Sequence, residues 1–128
     1  MLFDTTFLID LQRETLRKNP GKAFRFLEAH PEAAMQISAI TYGEIAEGFL
    51  PDQDEAFVEV IRPYEVLEVT AAIGRQYGWI SRGLRKKGDR IGDNDLWIAA
   101  TALEAGLSLV TRDSTHFQRI PGLRLLTY

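Results

Sequence analysis

Asp95-Leu96-Trp97-Ile98-Ala99-Ala100-Thr101-Ala102-Leu103-Glu104-Ala105-Gly106-Leu107-Ser108-Leu109-Val110-Thr111-Arg112-Asp113 is the stretch on which the fold turns. Asp95 to Ala105 reads as an alanine-rich helix, and Gly106 stands at its C-terminal cap, where a left-handed backbone is needed. Leu107 to Val110 then reads as a strand, and Asp113 follows soon after its end. Helix, glycine stop, apolar strand and acid make one step of an alternating α/β chain.

The same step recurs outward in both directions. Met1-Leu2-Phe3 is a minimal first strand, Phe7 to Arg13 a helix, and Ala23 to His30 a second helix after Pro20-Gly21. Met35-Gln36-Ile37 is a short strand, and Thr41 to Phe49 has helical spacing through Ile45 and Phe49. Pro51-Asp52 opens a segment with Phe57, Val60 and Ile61 at offsets of three and four. Val66 to Val69 is a strand, followed by a long helix, Ala71 to Lys87, with Ile73, Tyr77, Ile80 and Leu84 on one face. Gly88 to Gly92 is a loop, Phe117 lies in a short helical turn, and Leu123 to Leu126 is the last strand. Strands alternating with helices imply right-handed crossovers. The expected architecture is a single α/β domain over residues 1–128, in three α/β/α layers around a mostly parallel sheet of about five strands.

The 128 residues suffice for one core. The absence of cysteine excludes disulfides and thiolate metal sites and fits a cytoplasmic setting. No apolar run approaches the length of a membrane span, and an acid at the fourth position argues against a secretory signal. With 18 acids against 15 bases the net charge is −3, the wrong sign for a broad basic nucleic-acid surface. Either nucleic acid is not the partner, or the acids are concentrated where cations offset them.

Their placement bears on this. Ligands of open parallel sheets bind beyond the C-terminal strand ends. Asp4 follows the first strand, Glu44 lies in the helix after the second, Asp95 starts the alanine-rich helix, and Asp113 follows the strand after it. Each has a plainer reading: Thr41 and Glu44 as a capping box, Asp93 or Asp95 as an N-cap, Asp113 as the cap of the turn before Phe117. Together they would repel unless a cation neutralised them. With no thiolate, and with His30 and His116 placed outside the strand-end junctions, the ligands are oxygens, which favours Mg2+ or Mn2+. Such an ion binds phosphate oxygens and activates water for phosphodiester hydrolysis.

The motifs around these acids resemble those of PIN-domain ribonucleases, and within them the VapC-type toxins of VapBC toxin–antitoxin pairs. Phe3-Asp4-Thr5-Thr6-Phe7-Leu8-Ile9-Asp10 is similar to the family's opening, and Ser38-Ala39-Ile40-Thr41-Tyr42-Gly43-Glu44-Ile45 to its second motif. Ile91 to Ala102 resembles the third, and Leu109 to Asp113, with Phe117 and Pro121-Gly122-Leu123, the closing segment. The resemblance implies that Asp4, Glu44, Asp95 and Asp113 form the metal-binding and catalytic site, with Thr6 hydrogen-bonding a bound water or a neighbouring carboxylate. It implies RNA as substrate, tRNA or another structured RNA, a cognate VapB-type antitoxin, and a homodimer. Asp93 reads as a cap, with a role assisting the metal as the alternative, and Asp10 as a solvent-facing or capping residue.

On the long helix Arg75, Trp79, Arg82 and Lys86 form a stripe suited to an RNA backbone and a stacked base. The plainer reading of the stripe is a solvated face. Phe49 to Tyr64 offers an antitoxin surface or, as Phe57, Val60 and Ile61 suggest, core. Haloacid-dehalogenase phosphatases also begin with a strand-end aspartate but need a second one at the position of Thr6. Receiver domains need paired acids after the first strand. A PIN-like module that binds RNA or protein without cutting is the remaining alternative, and retention of all four acids weighs against it.

Overall fold

Leu2 and Phe3 are consecutive, both wholly buried, and belong to different cores. They make up strand β1 (Leu2–Phe3), and successive side chains of a strand point to opposite faces. The computed structural model describes residues 1–128. After β1 come α1 (Thr5–Arg17), α2 (Lys22–Ala29), β2 (Gln36–Ser38), α3 (Ala39–Glu47), a 3-10 turn (Pro51–Gln53) and α4 (Asp54–Ile61). The chain continues through β3 (Glu65–Leu67), α5 (Ala71–Lys86), α6 (Asp93–Ala105), β4 (Leu109–Thr111), α7 (Ser114–Phe117) and β5 (Leu125–Thr127).

The five strands are all parallel, in the order β3-β2-β1-β4-β5. The expected three layers are present. Leu2 and Leu109 face α5, α6 and α7, while Phe3, Val110 and Ile37 face α1, α2 and α4. On the second face Phe3 packs against Phe7, Phe26 and Tyr64, with ring centroids 4.6, 6.1 and 6.0 Å away. On the first, Ala99, Ala100 and Ala102 of α6 have no exposed surface. Small side chains let this helix lie close to its neighbours, and its burial on several sides explains why it lacks a single apolar stripe.

Several boundaries differ from the sequence reading, each for a hydrogen-bonding reason. α1 starts at Thr5 rather than Phe7 because the Asp4 carboxylate accepts from the Phe7 N–H at 3.0 Å and caps it. α3 starts at Ala39 rather than Thr41 because Ser38 caps it through the Thr41 N–H. The strands lie where parallel pairing is available: β2 and β3 register as Gln36 with Glu65, and β4 and β5 as Leu109 with Leu125. The last strand therefore ends at Thr127 instead of Leu126.

In the order β3-β2-β1-β4-β5 the chain leaves the centre one way through β2 and β3, then returns to the other side through β4. The reversal falls between β1 and β4, and open parallel sheets bind ligands at such a point. The Asp4 N–H donates to the Val110 carbonyl at 3.1 Å, fixing the end of β1 against β4 there.

The hydroxyl of Tyr64, in the aromatic core, is buried without a hydrogen-bond partner, and burial pushes its pKa up. A buried unsatisfied hydroxyl is a cost, so Tyr64→Phe, which keeps the ring, is expected to leave stability unchanged or raise it by about 1 kcal/mol. Urea unfolding of both proteins checks this; a clear loss in the variant contradicts it.

Candidate active site

Two residues past Leu2, the chain turns from strand to helix on an aspartate that is 5 % exposed. One oxygen of Asp4, Oδ1, accepts from the Phe7 N–H at 3.0 Å and the Thr6 hydroxyl at 2.8 Å, so Oδ2 takes part in neither bond. Thr6 thus has the carboxylate contact expected of it. Burial pushes the Asp4 carboxyl above the usual range, against the hydroxyls of Thr111 and Thr6, the Phe7 N–H and the charge of Arg112.

Glu44 reaches the same region from α3, a helix that packs against both α1 and α6. It is not the second half of a capping box, since the Ser38 side chain caps α3. Its Oε1 instead accepts from the Thr5 hydroxyl at 2.7 Å, with Thr41 Oγ1 3.3 Å from the same hydroxyl. Ser38 and Thr41 are fully buried beneath this contact. A hydroxyl directly after a strand-end acid was the available sign of Thr5's role, but its partner lies 39 residues away.

Asp95 enters from the first turn of α6, whose N-cap is Gly92. Asp93 is consequently not the cap it was read as. It stands inside the helix and accepts from the Tyr77 hydroxyl at 3.1 Å, while the Tyr77 ring stacks on Trp97 at 4.1 Å. Asp113 does cap α7, through the Thr115 N–H at 3.0 Å. The Thr115 N–H is the main reason its carboxyl lies below the usual range, and His116, with Nε2 3.1 Å from Oδ2, adds to the effect. His116 is thus part of this region, contrary to the sequence reading; one helical turn carries it back over the strand end. His30 is elsewhere, stacked on Phe26 at 4.2 Å.

The four acids meet electrostatically at Asp95. Burial is the largest influence raising its pKa, His116 opposes it, and the charges of Glu44, Asp4 and Asp113 add to the rise. The acids are near enough to repel, yet no three acidic or histidine side chains are gathered tightly enough to hold a metal ion as they stand. Like charges without a counterion stay apart, and three of the four carboxylates take a donor of their own: Phe7 and Thr6 for Asp4, Thr5 for Glu44, Thr115 for Asp113.

A family model described as the PIN domain matches residues 1–123. The chain belongs to the PIN-domain family. It is 34% identical to Ribonuclease VapC1 of Haemophilus influenzae strain R2866, over 96% of this chain and 93% of the relative. It is 36% identical to the tRNA(fMet)-specific endonuclease VapC of Salmonella typhimurium, over 71% of this chain and 73% of that one. Among solved structures, VapBC-1 from nontypeable Haemophilus influenzae superposes with a TM-score of 0.84 at 29% identity, covering 98% of this chain and 96% of the other. These likenesses set this PIN domain among the VapC ribonucleases.

Two features of this PIN domain fall outside the acidic group. Asp10 is neither solvent-facing nor a cap: its side chain is 16% exposed and accepts from Arg112 at 2.9 Å and from the Tyr128 hydroxyl at 2.9 Å. The α5 stripe is exposed as expected, with the Arg75 guanidinium 5.8 Å from the centre of the Trp79 ring and Trp79 64% exposed. Only its far end, toward Lys86, leads into the loop before α6. Arg75 lies about 16 Å back along the helix axis.

Asp95 makes the stability of the PIN domain pH-dependent. A carboxyl whose pKa is raised by folding contributes stability below its unfolded pKa and loses it as pH rises through the folded value. At neutral pH without divalent ions, Asp95 therefore destabilises the fold. In EDTA at pH 7, Asp95→Asn is expected to melt at a higher temperature than the wild type, the gap closing as pH falls into the ordinary carboxylate range. A variant that melts lower at pH 7 contradicts this account.

Proposed function

We propose that the chain is a divalent-metal-dependent endoribonuclease, hydrolysing phosphodiester bonds in tRNA or another structured RNA as the toxin of a VapBC-type pair. The observation that carries this reading is Asp95: a half-buried carboxylate under the charge of three others, at the switch point of a parallel sheet. PIN-domain ribonucleases as a family depend on divalent metal. The donor set fits a hard cation, because the four side chains offer only carboxylate oxygens and each carries a charge that needs an opposite one. Mg2+ or Mn2+ is the ion we assign. Asp4 and Asp95 are its firmest ligands, with Glu44 and Asp113 completing the set. Asp113 is half exposed and committed to His116 and Thr115, which makes it the outermost.

The metal supplies positive charge against the phosphate and lowers the pKa of water. The residues supply the rest. Thr6 holds Asp4 in one orientation, and Thr5 does the same for Glu44. Glu44, so held, positions the attacking water and takes its proton as the new P–O bond forms and the opposite ester P–O bond breaks. Arg75, Trp79, Arg82 and Lys86 we assign to the substrate, Lys86 nearest the cut and Trp79 stacking on a base.

We assign a VapB-type antitoxin as partner on the strength of the VapBC assembly that this chain resembles. Phe57 and Ile61 are core, as the sequence suggested. Val60 is half-buried against the same core and, with Pro63, Leu8, Leu11 and Leu16, also lines an apolar groove of about 430 Å3 between α1 and α4. Such a groove suits the apolar side chains of an antitoxin segment. A homodimer and a cytoplasmic setting complete the reading. No helix is long and apolar enough to cross a membrane.

Incubation of the antitoxin-free protein with a pool of tRNA and structured RNA should give cleavage that needs Mg2+ or Mn2+. Asp4→Asn and Asp95→Asn should abolish it, and Glu44→Gln should lower the rate by about 100-fold or more. Mn2+ should raise the melting temperature of the wild type but not of Asp95→Asn. Cutting that persists without metal would overturn the metal-dependent mechanism, and no cutting by folded, metal-stabilised wild type would move the assignment to a module that binds without cleaving.

A further inference from the structure

Beside the acidic site, α1, the start of α2 and the ends of β4 and β5 enclose a polar cleft of about 400 Å3. Its charged lining is four cations, Arg13, Arg17, Lys22 and Arg112, and two acids, Asp10 and Glu14. Both acids are used internally. Asp10 accepts from Arg112 and the Tyr128 hydroxyl. Glu14 accepts from the backbone N–H groups of Gly21, Ala23 and Phe24 at 2.8, 3.0 and 2.9 Å, closing the turn between α1 and α2. Partial burial works against ionisation of Glu14, but these three donors and Arg25 outweigh it and hold its carboxyl below the usual range. Gly21 permits the arrangement, since a Cβ there would lie 2.6 Å from Glu14 Oε1.

The cations are not used up in the same way. Arg17 and Lys22 are exposed and have no ion-pair partner, and Arg13 only approaches Asp10, at 4.0 Å. The cleft therefore presents unbalanced positive charge on a chain whose net charge is −3. It also adjoins the acids. Arg112 immediately precedes Asp113, and the Thr6 hydroxyl that binds Asp4 is near the Tyr128 hydroxyl, which in turn binds Asp10.

We propose that this cleft is a second substrate surface, in which Arg13, Arg17 and Lys22 hold the RNA backbone on one side of the bond to be cut. The assignment rests on the ribonuclease reading above. RNA suits it better than an acidic protein segment, because a chain crossing from the cleft to the acids meets cations spaced along α1 and α2 and then carboxylates that a phosphate would approach only with a cation bound there. Arg112 and Tyr128, locked onto Asp10, form the fixed wall between cleft and acids. The α5 stripe lies on the other side of the sheet, so the two surfaces would hold the strand to either side of the cut.

The test compares the full-length wild type with Arg17→Gln/Lys22→Gln, and with Arg62→Gln as a charge control on α4. Cleavage in Mn2+ is followed over a salt series, and binding of a fluorescent single-stranded RNA is followed by anisotropy in EDTA. In the double variant KM should rise about 10-fold with kcat nearly unchanged. The salt dependence of binding should become shallower by about 0.7 in log–log slope for each side chain removed. Arg17→Lys/Lys22→Arg, which keeps the charge, should restore both, and Arg62→Gln should change neither. If wild type cuts RNA but the double variant matches it in KM and salt slope, the cleft proposal fails and the ribonuclease reading stands. If RNA readouts are unchanged while binding to the antitoxin weakens, the cleft serves a protein, and the proposal is likewise overturned. If wild type does not cut but the double variant binds RNA more weakly, the ribonuclease reading fails and the cleft survives as an RNA-binding surface.

Discussion

A carboxylate at the end of an interior strand has to be stabilised by something, and the way Asp4 is stabilised organises much of this molecule. Its Oδ1 caps α1 through Phe7 and is held by Thr6, while its backbone N–H ties β1 to β4. One residue thereby begins the first helix, closes the switch point of the sheet and leaves its second oxygen uncommitted to the cap. Burial disfavours its charge. The same burial makes a bound cation worth more there than on an exposed surface.

The other three acids are supported less uniformly. Glu44 depends on a hydroxyl from another helix, Asp95 is held under the repulsion of its neighbours, and Asp113 is turned toward a histidine and its own helix cap. This gradation from buried to exposed suits the cation and phosphate site we propose. It also explains how four like charges coexist in the folded chain: Asp4, Glu44 and Asp113 each have a donor of their own, Asp95 is opposed by the charge of His116, and the four are not packed as closely as metal ligands.

An acidic protein that acts on RNA faces long-range repulsion, and here charge segregation addresses it. The acids collect at the strand ends. Exposed cations line α5 on one face, and α1 and α2 on the other, where the local acids are spent on Arg112, Tyr128 and backbone N–H groups. Net charge, −3, therefore says little about what the surface next to the site attracts.

The alternation of strands and helices and the strand-end positions of the four acids were legible in the sequence, because periodicity, glycine stops and strand-end punctuation are local properties of the chain. Thr6 was legible for the same reason, sitting two residues from the carboxylate it holds. Boundaries were less so: Asp4 and Ser38 cap helices that begin earlier than the apolar spacing suggests, and the strands end where a neighbour's hydrogen bonds end. What only the tertiary structure decided are the contacts made across the sheet order. Thr5 meets Glu44, His116 turns back onto Asp113, and Asp10 is fixed by Arg112 and Tyr128, which are 102 and 118 residues away along the chain. Parallel strands are joined by long crossovers, so residues adjacent at one sheet edge are remote in sequence, and no local pattern records which of them will meet.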